Sequence, residues 1–131
     1  MRVLIAQDNR DLAVLWARFL RRNDIEADIV TSDIDAIEAL EAARYDALIL
    51  EPVMACGSGL CVADLAAFRH PDMPIIAVTK SSFFADGSIF SLIPNARGFL
   101  RAPLDPKDLA AYIDHVVERP PRHEVYMDQA V

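Results

Sequence analysis

The sequence predicts an α/β fold, a doubly wound five-stranded parallel sheet covered by five helices. Short apolar runs alternate along the chain with longer segments whose apolar residues recur at helical spacing. This alternation is typical of parallel βαβ units, in which helices bury both faces of the strands. The connections are short, so each crossover is expected to be right-handed. A length of 131 residues suits one domain with a normal core.

Five strands and five helices can be placed in order. The strands are predicted at residues 3–6, 27–30, 47–50, 75–78 and 98–100. The helices are predicted at residues 10–22, 34–43, 59–69, 83–93 and 106–118. Ser58 is placed to cap the third helix. In the first helix a single apolar stripe is predicted, and Trp16 within it is expected to be a core residue; the stripe comprises Leu12, Leu15, Trp16, Phe19 and Leu20.

The last helix has the clearest start signal. Asp105 is placed to cap it, Pro106 suits its first position, and Asp108 puts an acid in its first turn. Its apolar stripe consists of Leu109, Tyr112, Ile113, Val116 and Val117. Two prolines then break the pattern, so residues 1–119 are predicted to form the domain and residues 120–131 a flexible tail.

The segment at residues 83–93 carries more apolar side chains than one helix face needs. Ile89 and Ile93 are predicted to be core residues, whereas the phenylalanines belong either to the core or to an exposed binding patch. We predict an interaction surface made of Phe83, Phe84, Phe90 and Tyr112. A homodimer through this surface is expected, because two-fold dimers are the commonest oligomers.

Composition excludes several classes of function. The net charge of −7 and the pI near 4.8 argue against nucleic-acid binding, which needs a cationic surface. No apolar run approaches the 18 residues of a membrane span, and a cytoplasmic location is expected. Cys56 and Cys61 have no partners that would complete a zinc site. No glycine-rich phosphate loop is present either.

Polar side chains follow the carboxyl ends of the predicted strands, which is where open parallel sheets bind ligands. Gln7 and Asp8 follow the first strand, Glu51 the third, and Thr79 the fourth. The candidate site comprises Gln7, Asp8, Glu51, Thr79, Lys80 and Ala102.

Taken together, these segments resemble the receiver domain of bacterial response regulators. The similar segments are residues 4–9 at the opening, 45–51 before the phosphoacceptor position, Met54 with Gly59, 74–79 at the switch hydroxyl, and 98–103 at the fifth strand. The resemblance covers about residues 2–118. It implies the flavodoxin-like receiver fold, with strand order 2-1-3-4-5.

The resemblance also implies a phosphorylation switch. In a typical receiver, an aspartate ending the third strand accepts a phosphoryl group from a phosphohistidine. Mg²⁺ is held by that aspartate, by acids after the first strand, and by a carbonyl two residues beyond the aspartate. Asp8, Thr79 and the switch aromatic Phe99 match this pattern. Any metal would be bound, weakly if at all, by Asp8, Glu51 and the Val53 carbonyl.

Three positions depart from the pattern. Glu51 replaces the aspartate, and its extra methylene moves the carboxylate about 1.5 Å outward, away from in-line geometry. Gln7 replaces an acid and weakens a site for a hard cation. Ala102 replaces the lysine that neutralises the phosphoryl group. Lys80 either occupies the space of that lysine and pairs with Glu51, or is a solvated surface residue.

We therefore predict an atypical stand-alone receiver domain in two-component signalling that acts by protein–protein contact, without enzymatic activity or a required cofactor. Expected partners are a histidine kinase or another regulator, or a second copy bound through residues 83–93, the fifth strand and the last helix. One alternative is a conventional Mg²⁺-dependent receiver that uses Glu51. The other is a small enzyme on a doubly wound sheet. The sequence contains no nucleophile–base pair that would support this second alternative.

Overall fold

The computed structural model describes residues 1–54, 59–79, 93, 95–101 and 104–118. The strands are β1 (Arg2–Ala6), β2 (Glu26–Val30), β3 (Ala47–Leu50), β4 (Ile75–Thr79) and β5 (Ala96–Arg101). The helices in the described ranges are α1 (Arg10–Arg22), α2 (Asp33–Ala42), α3 (Gly59–Arg69) and α4 (Pro106–Glu118). None of these helices is long and apolar enough to cross a membrane.

All strands are parallel, in the order β2-β1-β3-β4-β5. This order confirms the predicted sheet. The predicted helix at residues 83–93 lies outside the described residues except for Ile93, which is buried as predicted. Ser58, Ile89 and the tail at residues 120–131 also lie outside them.

Alternate residues of each strand face opposite sides of the sheet. In β1, Leu4 and Ala6 contact the core beneath α2 and α3, whereas Val3 and Ile5 contact the core beneath α1 and α4. The same period of two continues through β3 and β4, whose residues are all buried. Both faces of the sheet are therefore covered, as expected for parallel strands whose sequences are continuous apolar runs.

The buried face of α1 differs in part from the predicted stripe. Trp16 is buried as predicted. Leu15 is half exposed, because the helix face that packs on the sheet does not include it. That face consists of Ala13, Trp16, Ala17 and Leu20. Its two alanines have short side chains that let the helix approach the sheet. The indole N–H of Trp16 has no hydrogen-bond partner in the described part of the chain.

The last helix packs closely on β5 at Gly98. A Cβ added to Gly98 would lie 2.6 Å from both Cζ and the hydroxyl oxygen of Tyr112, inside van der Waals contact. The Tyr112 hydroxyl donates a hydrogen bond to the Arg97 carbonyl at 3.0 Å. Burial raises the pKa of Tyr112. Asp105 caps this helix as predicted, because its side chain accepts a hydrogen bond from the Lys107 N–H at 2.9 Å.

A polar cluster links the start of β1, the middle of β2 and the segment before β3. Arg2 forms an ion pair with Asp28 at 2.7 Å, and the Tyr45 hydroxyl donates to the same carboxylate oxygen at 2.8 Å. The Arg2 guanidinium also lies 5.0 Å from the centre of the Tyr45 ring. Burial raises the pKa of Asp28, but the Tyr45 and Arg2 contacts outweigh it, so the pKa of Asp28 is lowered. Burial and the hydrogen bond to Asp28 raise the pKa of Tyr45.

These opposite pKa shifts predict a dependence of stability on pH. A lowered Asp28 pKa stabilises the fold above the unfolded value of about 3.9, and this contribution is lost as pH falls through the folded pKa. A raised Tyr45 pKa stabilises the fold below about pH 10, and this contribution is lost as pH rises through the folded pKa. Because the Asp28 side chain is 44% exposed, Asp28→Asn should cost at most about 1 kcal/mol near neutral pH.

Urea unfolding at neutral and acidic pH measures this effect. The difference between wild type and Asp28→Asn should disappear below the folded pKa of Asp28, where both side chains are neutral. Glu38→Gln, a change at an exposed acid of α2, is the matched control and should show no such difference. An Asp28→Asn cost that is equal at both pH values would contradict the assigned contact.

Candidate functional site

Three polar residues meet at the carboxyl edge of the sheet. The Glu51 N–H donates to the Ala6 carbonyl at 2.9 Å, which places Glu51 beside Gln7. The register of β3 and β4 pairs Leu50 with Ala77, so Thr79 lies at the same edge. Gln7, Glu51 and Thr79 are only 4%, 6% and 1% exposed. The structure thus brings together three of the predicted site residues, and the partly buried Asp8 directly follows Gln7.

The Glu51 carboxylate bends back onto its own loop. Its Oε2 accepts a hydrogen bond from the backbone N–H of Val53 at 2.9 Å. This is a contact of an acidic side chain with the backbone two residues on, a pattern that shorter acids also make in turns. The contact fixes the loop after β3, where the Val53 side chain is 50% exposed beside the buried acid.

The Gln7 side chain also binds backbone. Its Oε1 accepts a hydrogen bond from the N–H of Asn9 at 3.0 Å. The Asn9 side chain in turn caps α1 by accepting the Leu12 N–H at 3.1 Å. Gln7 therefore joins the end of β1 to the start of α1. The role of Asn9 was not predicted, although an asparagine just before a helical apolar stripe is the usual signal for a cap.

Gly59 allows α3 to begin directly over the site. A Cβ at this position would collide with the Glu51 carbonyl oxygen and would lie 2.7 Å from Cα and 3.0 Å from the carbonyl carbon of Pro52. These neighbours are backbone atoms and cannot rotate away. Gly59 is therefore required by the close approach of the helix start to the loop that holds Glu51.

The remaining predicted residues are placed as follows. Phe99 is partly buried and contacts the core on the α2 and α3 side of the sheet. Tyr112 is partly buried against Gly98. The other predicted members lie outside the described residues, namely Lys80, Phe83, Phe84, Phe90 and Ala102.

The oxygens at this edge are a poor match for a hard cation. Oε2 of Glu51 and Oε1 of Gln7 already accept backbone N–H bonds, and Gln7 carries no charge. Within the described ranges, no group of three or more histidine, cysteine or acidic side chains could hold a metal ion. Mg²⁺ prefers carboxylates, phosphates and water in near-octahedral geometry. The candidates for any such contact are Asp8, Glu51 and the Val53 carbonyl.

Curated proteins and solved structures show clear similarity to this chain. TctD of Salmonella typhimurium, a transcriptional regulatory protein, is 29% identical over 119 residues, which is 91% of this chain and 53% of TctD. Rrf1 of Nitratidesulfovibrio vulgaris is 27% identical over 118 residues, 88% of this chain and 82% of Rrf1. The chain thus spans about half the length of TctD.

Solved structures show the same fold. A CheY-like receiver domain protein from Methanospirillum hungatei has a TM-score of 0.82 at 21% identity, covering 89% of this chain and 93% of that one. A two-component response regulator from Clostridium difficile has a TM-score of 0.81 at 21% identity, covering 91% and 97%. The family model of the response regulator receiver domain matches residues 3–114. This chain therefore belongs to the response regulator receiver domain family.

Proposed function

We propose that this chain is an atypical receiver domain in two-component signalling that acts through protein–protein contact without accepting a phosphoryl group. The observation that carries the proposal is that the Glu51 side chain is buried and hydrogen-bonded. This residue stands at the phosphoacceptor position implied by the resemblance, it is 6% exposed, and its Oε2 is bonded to the Val53 N–H. The longer side chain is thus held by its own loop at the position where a nucleophile would have to face a donor.

Phosphoryl transfer depends on positioning and on neutralisation of charge. For Glu51 to attack, its carboxylate would have to reach an in-line position from a site where one oxygen is hydrogen-bonded. Gln7 adds no negative charge for a cation, and its oxygen is bonded to Asn9. Ala102 offers no positive charge for the phosphoryl oxygens. These features support a site with little or no Mg²⁺ affinity and no phosphotransfer.

The proposed partners are a histidine kinase, another regulator or a second copy of this chain. The relatives support a regulatory setting, since TctD and LuxO are named as regulatory proteins. The proposed contact surface is the one predicted from the sequence, residues 83–93 with β5 and α4. Lys80 is proposed to pair with Glu51 and to hold the site in one state.

The alternative is a conventional Mg²⁺-dependent receiver that uses Glu51, and phosphoryl labelling separates the two. The purified chain is incubated with a small acyl phosphate and Mg²⁺, and its intact mass is recorded. We expect no gain, because the carboxylate is held and two supporting charges are absent. A stable phosphoryl group mapped to Glu51 would favour the alternative.

A variant of the same chain provides the positive control. The triple substitution Gln7→Asp, Glu51→Asp and Ala102→Lys introduces the acid, nucleophile and lysine that the resemblance implies. We expect this variant to gain a phosphoryl group in the presence of Mg²⁺ and to lose that gain when the metal is chelated. If the control variant gains no phosphoryl group, the assay itself is at fault. Labelling of the control variant but not of the wild-type chain supports the proposal.

A further inference from the structure

Helix α1 presents a row of basic residues to solvent. Leu15, Arg18 and Arg22 are exposed and recur at intervals of three and four residues, which places them in one line on the outer surface. Leu15, at the start of this basic row, is 51% exposed. Neither arginine side chain has an ion pair or a hydrogen bond to any described residue. In a chain with a net charge of −7, the basic row is a local region of positive charge.

Helix α2 presents the opposite charge in the same arrangement. Ile34, Glu38 and Glu41 are exposed at intervals of four and three residues, so they also form one line. Ile34, at the start of this acidic row, is 66% exposed. Glu41 contacts Arg69 at 3.4 Å, and its side chain remains 45% exposed. Each row therefore begins with an exposed apolar residue and continues with two like charges.

The two rows match when the two helices lie side by side and point the same way. At a rise of about 1.5 Å per residue, the first arginine lies about 4.5 Å beyond its leucine, and the first glutamate about 6 Å beyond its isoleucine. The second charge of each row lies about 10.5 Å beyond the apolar residue. Leucine would then face isoleucine, and each arginine would face a glutamate. An antiparallel arrangement would place the leucine against a glutamate, so the parallel one is favoured.

The fold places the two rows back to back. Helices α1 and α2 pack on opposite faces of the sheet, since Trp16 and Leu20 belong to one core and Ala36 and Leu40 to the other. Both helices contact β2. Both also connect parallel strands, so they run in the same direction, antiparallel to the strands. A second copy in the same orientation, shifted across the sheet, would therefore bring its acidic row against the basic row of the first.

We propose that copies of this chain associate head to tail, with the basic row of α1 on one copy bound to the acidic row of α2 on the next. A second copy suits each row because it carries the complementary charges, the apolar residue and the matching spacing together. The contact joins two different surfaces, so each end of the assembly keeps an unoccupied row and the stack can grow. It goes beyond the proposed function and uses none of residues 83–93, β5 or α4.

Sedimentation velocity of the purified full chain tests this contact. At about 0.1 M ionic strength, the average sedimentation coefficient should rise continuously with protein concentration, whereas a two-fold dimer would reach a plateau. The association should weaken as ionic strength rises to about 1 M, where the screening length falls to about 3 Å. Arg18→Gln combined with Arg22→Gln should raise the Kd about tenfold, because two exposed ion pairs are lost.

Two further variants identify the surfaces. Arg97→Gln with Arg101→Gln removes the same charge from exposed positions of β5 and should leave the association unchanged. Glu38→Gln with Glu41→Gln should weaken it as the α1 variant does. Mixing the α1 and α2 variants should give a complex of two copies that neither variant forms alone, because each keeps one intact row. A chain that stays monomeric would overturn the proposal, as would a plateau at the dimer or equal weakening by the β5 variant.

Discussion

Replacement of Gly59 by alanine is expected to lower the free energy of unfolding by about 1–3 kcal/mol. The new methyl group would meet the Glu51 carbonyl oxygen and would lie 2.7 Å from the Pro52 Cα. Alanine would favour the helix by up to about 1 kcal/mol relative to glycine, but this gain is smaller than the cost of moving backbone in a buried loop. The loss should appear as a lower midpoint of urea unfolding at unchanged slope.

The effect should reach the site, because the colliding atoms belong to the loop that holds Glu51. We expect the amide resonance of Val53 to shift in Gly59→Ala, since its N–H donates to Glu51. Asp64→Ala in the same helix is the control: the position is exposed, and substitutions there should stay within about 0.5 kcal/mol. A Gly59→Ala variant as stable as that control would show that α3 can move away from the loop freely.

Gly98→Ala is expected to cause the second large loss in the free energy of unfolding, and the cause of this loss can be isolated. An added Cβ would lie 2.6 Å from Cζ of Tyr112, so the ring must move and release the Arg97 carbonyl. We expect a loss of about 1–3 kcal/mol, from overpacking and from the lost hydrogen bond. Unlike the neighbours of Gly59, the obstacle here is a side chain, and removing it should remove the cost.

A double-mutant cycle with Tyr112→Ala measures that dependence. In the Tyr112→Ala background, Gly98→Ala should cost less than about 0.5 kcal/mol, which gives a coupling energy within the usual range for residues in contact. Tyr112→Phe serves as the milder control, because it keeps the ring and deletes only the hydroxyl. If the two substitutions were additive, the contact between α4 and β5 would not be the source of the loss.

Much of the fold follows from local pattern. The limits of α1, α3 and α4 agree with the predicted ranges, because caps and apolar spacing mark them. The strand β5 runs from Ala96 to Arg101, beyond the predicted 98–100, because its pairing with β4 draws less apolar residues into the sheet. Leu15 was wrongly assigned to the buried side of α1, since spacing alone does not tell which part of a broad stripe meets the sheet.

The candidate site was predictable in place but not in detail. The meeting of Gln7, Glu51 and Thr79 follows from parallel strands whose carboxyl ends share one edge. The bond from the Val53 N–H to Glu51 does not follow, because a side-chain conformation depends on neighbours distant in sequence. The collision of any side chain at Gly59 with Pro52 also depends on how the fold brings the two segments together, so local pattern does not reveal it.

The burial of Trp16 has an optical consequence. It is the single tryptophan of the chain, it is 1% exposed, and its indole N–H meets no acceptor in the described part of the chain. Its excited state is therefore surrounded by hydrocarbon, so its emission should lie toward the blue. Water reaches the ring only when α1 separates from the sheet. The emission of this one residue thus shifts to the red when the core opens, and it reports unfolding without an added dye.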